Sequence, residues 1–292
     1  MEVLGEGTCG RVIRGHMKCI HPIANERYQK LKDNYQLMKI RDKIKDEETI
    51  KVLEKLKLID IDQINFIYEY LIENMNCKLM NGNYGYIMAD GGISLNKYFE
   101  KSDNITIDNT IRILSKVVKL VKLLHSHKII HRDLKPDNIV IDEDTDNVCL
   151  IDFDLSFTID SDYKHLHSEL YFYFPPFINC YNDNPDSFVK KYGKYKLLNE
   201  DYYFKLYEEH SIKTITDNLY KIDVFGIGIS LLDFFYNTRE KLENDKRFNP
   251  LYELFLNMTN VNPELQFDLA QTAGSIGLII AGSGNKIELI KY

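Results

Sequence analysis

The chain has 292 residues, of which 44% are hydrophobic and 28% charged, so it can bury a sizeable core and is not disordered by composition. Lys plus Arg total 37 against 44 Asp plus Glu, a net charge of -7, which argues against nucleic acid as a partner because phosphate backbones reward a basic face. No apolar run approaches the ~18 residues of a membrane helix, and Glu2 with the glycines behind it excludes an ordinary secretory leader. The expectation is an intracellular, cytoplasmic protein with no membrane partner. The five cysteines, Cys9, Cys19, Cys77, Cys149 and Cys180, are scattered and form no C-x-x-C pair. Neither a disulfide framework nor a zinc site is therefore expected.

Residues 1–15 alternate short apolar positions with glycines and read as strand, turn, strand. Residues 16–35 are polar and carry no clear pattern. Tyr35 to Ile40 suits a short strand, and Asp46 to Leu58 a helix with Ile50, Leu53 and Leu56 on one face. Phe66 to Ile72 and Tyr84 to Met88 read as strands, and Asp90-Gly91-Gly92 as a hinge. From Asn109 the apolar positions Ile113, Val117, Leu120, Val121 and Leu124 recur at helical spacing and predict a buried helix. Asn138 to Ile141 and Val148 to Ile151 are short strand-like runs around an acidic turn. Residues 178–219, rich in Tyr, Asp, Asn and Lys, read as a surface excursion. Leu219 to Phe235 suits a buried helix whose Gly226 and Gly228 allow close packing, Leu251 to Met258 a shorter helix, and Gly274 to Tyr292 a tail.

Two stretches carry chemistry. Gly5-Glu6-Gly7-Thr8-Cys9-Gly10-Arg11-Val12 spaces glycines so that a turn can approach phosphates with backbone N–H donors. By itself it is equally an ordinary glycine-rich hairpin. The Val12-Ile13 that follows favours a second strand over the helix of a dinucleotide fold. The second stretch is more specific: His131-Arg132-Asp133-Leu134-Lys135-Pro136-Asp137-Asn138, then Asp152-Phe153-Asp154 after a strand-like run. It supplies a carboxylate base, an ammonium for a phosphate, and two oxygen ligands, Asn138 and Asp152, for a divalent metal.

With these motifs the sequence resembles eukaryotic-type protein kinases from Leu4 to about Phe267. It looks closest to the divergent serine/threonine kinases of giant DNA viruses, through its Leu4-Gly5-Glu6-Gly7-Thr8 opening, Leu58-Ile59-Asp60 and Gly91-Gly92. The resemblance implies an α+β, two-lobed fold: a β-rich N-lobe over 1–88, a hinge over 89–93, and a mainly helical C-lobe over 94–292 with an insertion near 178–219. It implies transfer of the γ-phosphoryl of ATP to Ser/Thr hydroxyls of protein substrates, with Mg²⁺ as cofactor, in the cytoplasm of a host cell if the chain is viral. Asp133 would be the base and Lys135 would meet the transferred phosphate. Gly5, Glu6, Gly7, Thr8, Cys9, Gly10, Val12, Lys39 and Met88 would contact the nucleotide, and Asn138 and Asp152 would hold the metal. Asp223 would pin the catalytic-loop backbone, its alternative being a helix-start cap, and His131 would be a structural core imidazole. Arg132 would receive a phosphate from Thr158, Ser161, Tyr163 or Ser168, although Asp160 and Asp162 already supply negative charge in that segment.

The sequence departs from the family pattern in several places. The strand lysine is Lys39 by local match, with Lys30 and Lys32 as alternatives by spacing, and either Glu47 or Glu48 would be its helix partner. The glycine after Asp152-Phe153 is Asp154, which narrows the conformations open to the segment behind it. Phe177 and Gln266 stand where the family has a Glu and an Arg that pair. Losing both avoids stranding one buried charge. These departures leave a rival reading, a pseudokinase that binds nucleotide or acts as a scaffold. A small-molecule kinase of similar fold is a third option, which Leu134-Lys135-Pro136 disfavours.

Overall fold

The computed structural model describes residues 2–7, 10–31, 36–59, 66–67, 77–101, 105–160, 173–179 and 216–282. The chain folds as two compact units, one comprising 1–93 with 140–155 and the other 94–139 with 156–292. The architecture is α+β, a largely antiparallel N-terminal sheet followed by a mainly helical region.

In the first unit, β1 (Glu2–Gly7) and β2 (Gly10–Arg14) form an antiparallel hairpin in which Gly7 faces Gly10. Gly10 has φ 128°, and a Cβ there would fall 2.2 Å from the Ile40 carbonyl oxygen, so only glycine fits. The unassigned polar stretch holds α1 (Pro22–Leu31), with proline in its first turn, where no backbone N–H is needed. Next come β3 (Leu37–Arg41), α2 (Glu47–Ile59), β4 (Phe66–Ile67), β5 (Cys77–Lys78) and β6 (Tyr84–Met88). The sheet order is β1-β2-β3-β6-β5, and Ile13, Met38, Ile40, Leu79 and Ile87 form the core beneath it. Asp46 caps α2 by accepting the Thr49 N–H at 2.8 Å. The helix buries Thr49, Val52, Leu53 and Leu56, whereas Ile50 is half-buried, so its inner face is turned slightly from the expected stripe. Of the expected Phe66 to Ile72 strand, only Phe66 and Ile67 lie within the described residues.

The cysteine spacing predicts no disulfide, and the fold corrects that expectation. Cys19 and Cys77 are bonded, with their Cα atoms 4.9 Å apart across 58 residues of chain. Cys19 bridges to Leu79 next to β5, so the sheet itself brings the two thiols together, which linear spacing cannot reveal. Cys149 is a buried free thiol.

β7 (Ile93–Ser94) leads into α3 (Leu95–Glu100), α4 (Ile107–Ser126) and β8 (Ile129–Ile130). Thr106 caps α4, which buries Ile113, Val117, Leu120, Val121 and Leu124 as their spacing predicts. β9 (Ile139–Asp142) and β10 (Asn147–Ile151) join a second sheet in the order β4-β10-β9-β7, with β10 parallel to β4. Residues 140–155 thus belong with the first unit, although they follow the hinge expected at 89–93.

β11 (Phe157–Thr158) pairs antiparallel with β8 in the second unit. α5 (Pro176–Asn179) precedes the long α6 (Lys221–Leu242), then α7 (Phe248–Met258) and α8 (Leu269–Ile280). The surface excursion falls outside the described residues over 180–215. The tail expected from Gly274 is in part α8. Asp268 and Gln271 form a reciprocal capping box, and Thr272, Ser275, Ile276 and Ile279 are buried on a helix that packs on α4 and α7. Gly274 and Gly277 lower its intrinsic helicity, but packing and capping override propensity. No helix among the described residues is long and apolar enough to cross a membrane.

Candidate active site

The chemistry-bearing residues of the second unit gather around β8 and the start of α6. Asp223, fully buried in the first turn of α6, accepts the backbone N–H of His131 at 3.0 Å and of Arg132 at 2.7 Å. His125 Nε2, from the last turn of α4, donates to the same carboxylate at 2.8 Å. The carboxylate therefore anchors a loop whose Arg132 has φ 69°, a conformation costly for a non-glycine residue unless the surroundings enforce it. His125, a histidine to which its sequence context assigns no role, is part of this anchor. His131 is fully buried, and its carbonyl accepts from Ser156 Oγ at 2.9 Å.

Gly226 lets α6 approach this loop. A Cβ there would lie 2.7 Å from the Leu134 carbonyl oxygen. Asp133 stands next to it, nearly buried. Its Oδ2 accepts from Lys135 Nζ at 2.9 Å and from Asn138 Nδ2 at 2.7 Å, and Asn138 Nδ2 also reaches the Asp133 carbonyl at 2.8 Å. The structure thus brings Asp133, Lys135 and Asn138 together. Asn138 commits its amide nitrogen to Asp133, so its oxygen is the atom with ligand character.

Arg132 lies with its guanidinium 5.1 Å from the Phe174 ring centroid, a cation–π contact. Burial lowers its pKa to about 10, with Asp133 opposing. Thr158, one of the expected phosphate acceptors, is buried in β11, which removes it from the kinase-accessible set. Asp160 pairs with exposed Lys128 at 3.3 Å. Ser161, Asp162, Tyr163 and Ser168 lie outside the described residues. Tyr173 is raised to about 12 by burial and by Asp137, Asp233 and Asp133.

The substituted family pair is accommodated without charge. Phe177 is buried in an apolar cluster with Ile130, Phe174 and Ile222. Gln266, also buried, donates to the Lys221 carbonyl at 2.9 Å and the Met258 carbonyl at 3.0 Å. A neutral amide between two carbonyls needs no buried counter-ion.

In the first unit, Lys39 lies in the middle of β3 opposite Val12 and Tyr86. Its buried ammonium donates to Asp152 at 2.9 Å and to Asp154 at 2.7 Å. Of the alternatives, Lys30 lies on α1 with its side chain 71% exposed and paired to Glu26, and Lys32 is outside the described residues. Glu47 is exposed at the start of α2, and Glu48 lies 3.7 Å from Lys51. Asp152, at φ 63°, precedes a tight 3₁₀ turn over Phe153–Leu155 that packs on α2. Its carboxylate keeps 30% exposure. Leu37, Met88, Val140 and Cys149 form a buried cluster rimmed by Leu4, Val12, Ala89 and Ile151. Gly5 and Glu6 lie in β1 and Gly7 and Gly10 close the hairpin, while Thr8 and Cys9 lie outside the described residues. The strand reading of Val12-Ile13 matches β2.

Asp152 in the first unit and Asn138 in the second each carry an oxygen of the kind a hard cation such as Mg²⁺ takes. Among the described residues there is no cluster of three or more His, Cys, Asp or Glu of the kind that holds a metal by itself.

The protein kinase domain model matches residues 1–270. A putative serine/threonine-protein kinase of Acanthamoeba polyphaga mimivirus is 35% identical over 41% of this chain and 43% of its own length. Calcium-dependent protein kinase 4 of Plasmodium falciparum is 26% identical over 53% of this chain and 28% of its own length. A probable serine/threonine-protein kinase of Dictyostelium discoideum is 31% identical over 40% of this chain and 28% of its own length. The chain thus spans less than half the length of each of these relatives. With the glycine hairpin, the anchored His-Arg-Asp loop and a domain match that covers nearly the whole sequence, the chain belongs to the protein kinase family.

Proposed function

We infer that the protein transfers the γ-phosphoryl of ATP to Ser or Thr hydroxyls of protein substrates. The observation that carries this reading is the Asp133 carboxylate held by Lys135 and Asn138 on a loop whose backbone Asp223 fixes. In the proposed reaction Asp133 accepts the hydroxyl proton, the substrate oxygen forms the new bond to phosphorus, and the bond to the ADP oxygen breaks. Lys135 balances charge on the phosphoryl in flight. Positioning and charge supply most of the rate, because the transition state is loose. The adenine is assigned to the apolar cluster that includes Val12 and Met88, and the phosphates to Lys39 and the hairpin Gly5–Gly10 with Glu6, Thr8 and Cys9. Mg²⁺, held by Asp152 and Asn138, draws negative charge off the phosphate oxygens when bound.

The two-lobed organisation, an N-lobe over 1–88 and a C-lobe from 94 joined by 89–93, is part of the same reading. Kinship with giant DNA virus kinases is supported by the mimivirus relative. The rival pseudokinase reading draws on Asp154, which engages the strand lysine. One experiment separates the two: radiolabelled ATP with a generic protein mix, comparing the parent with Asp133→Asn and Asp152→Asn. Label on Ser and Thr that both variants lose supports the enzyme. An unlabelled mix with Mg·ATP still bound supports the pseudokinase.

A further inference from the structure

Asp154 replaces a glycine of the family pattern, yet its position does not require glycine. It lies in the 3₁₀ turn after β10, and its φ is not positive. Its side chain is 5% exposed and is met by three cations. Lys39 Nζ donates to Oδ2 at 2.7 Å, Lys45 Nζ donates to Oδ1 at 2.7 Å, and the Arg41 guanidinium donates to Oδ1. Burial alone would push this carboxyl up; the cations outweigh it and hold it far below the usual carboxylate range.

The surroundings explain why the cage is built this way. Arg41 and Lys39 alternate along β3 and so project to the same face of the strand. Lys45 lies just before α2, its side chain 2% exposed and its ammonium 5.3 Å from the Tyr86 ring centroid. An ammonium this dry needs an anion, because an unpaired buried charge is costly. A single carboxylate at 154 joins β3, the entry to α2 and the turn after β10.

We propose that Asp154 is a positioning residue that sets the strand lysine against Asp152 and locks the Asp152-Phe153-Asp154 turn in one arrangement. Lys39 is shared between the two carboxylates, 2.9 Å from Asp152 and 2.7 Å from Asp154. Asp154 fixes the Lys39 ammonium beside Asp152, so that both are pre-organised for the phosphates. Arg41 and Lys45 hold the Asp154 carboxylate in place through its Oδ1. A glycine at this place would leave the turn free to change conformation and the three cations to repel one another. In this chain the turn is held permanently by charge. The proposal rests on the kinase reading in that Lys39 and Asp152 serve ATP.

The test uses the full chain and four proteins: the parent, Asp154→Asn, Lys45→Met and the double variant Asp154→Asn/Lys45→Met. For each, the melting temperature, the affinity for Mg·ATP by calorimetry, and kcat and KM for ATP are measured. Asp154→Asn is expected to melt lower and to lose about 100-fold in kcat, the scale of a misplaced reacting group. In the double variant one repelling cation is gone. Its melting temperature is expected to recover most of the loss while kcat stays low, because Lys39 still lacks its second carboxylate. If Asp154→Asn does not fold, the double variant alone decides between the outcomes. A double variant with the parent's kcat and KM overturns the proposal, since Asp154 would then be only a counter-charge. A parent that transfers no phosphate overturns the kinase reading instead. In that case an Mg·ATP affinity the double variant shares with the parent overturns the positioning, and one weakened at restored stability upholds it.

Discussion

In the second unit Asp223 is buried against two backbone N–H groups and the His125 imidazole. In the first unit Asp154 is almost as dry but is surrounded by two ammonium groups and a guanidinium. The first arrangement grips main chain. Backbone N–H groups have no rotamers to lose, so their bonds fix the loop that carries Asp133. The second grips the ends of long side chains, which gain order only while the charge is there. An anchored loop and a charge-tied lysine thus rest on the same residue type in different company. Other supports differ as well: the first unit has the Cys19–Cys77 bond, whereas the second relies on apolar helix packing around Phe225, Phe235 and Phe255.

Breaking the comparison at its stronger end, Asp223→Ala removes the acceptor of three buried donors. It should cost roughly 5 kcal/mol, at about 1.5–3 kcal/mol for each hydrogen bond to a charged group. Denaturant unfolding followed by circular dichroism checks this, and the variant should transfer no phosphate even where it folds.

Asp154→Asn should cost about 3–5 kcal/mol, because it removes the carboxylate that three largely buried cations share. The pH dependence sharpens the contrast. A folded-state pKa below the unfolded value gives stability that is fully present above the unfolded pKa and is lost as pH falls towards the folded one. The stability difference between parent and Asp154→Asn should therefore be flat from about pH 5 upward and shrink below about pH 4, near the unfolded aspartate pKa. A difference that grows as the solution is acidified would contradict the cage.

Reducing the Cys19–Cys77 bond should destabilise the first unit by about 2–4 kcal/mol through the freed chain entropy of its long loop. Melts with and without dithiothreitol measure it, and Cys19→Ser should abolish the dependence on reductant. At the small end, Asp268→Ala removes the α8 capping box in the second unit and should cost about 1 kcal/mol. An effect above about 3 kcal/mol would mean that α8 is needed for the second unit to fold cooperatively.

Much of the site is legible in linear order because its parts are close in sequence. Asp133, Lys135 and Asn138 lie within six residues, so one short loop, once Asp223 holds its backbone, brings them to one carboxylate. The helices with dense apolar spacing, α4, α6 and α7, are legible for the same reason, since helix periodicity is local. Asp223 stands out by its place at the start of an apolar helix. The role of His125 is not legible, because its partner lies 98 residues away.

What the sequence determined by itself is therefore the main helices, the glycine hairpin and the His-Arg-Asp loop, features whose cause acts over a few residues, while the α+β class came through the family resemblance those motifs carry. Tertiary structure decided the rest. It set the Lys39 ammonium beside Asp152, 113 residues on, and left Lys30 in solvent beside Glu26. It joined Cys19 to Cys77, turned a glycine-bearing tail into α8, and made Asp154 the centre of three cations. These outcomes depend on which distant segments meet, and on the cost of burying a charge or a thiol there, and neither is written in the spacing of residues along the chain.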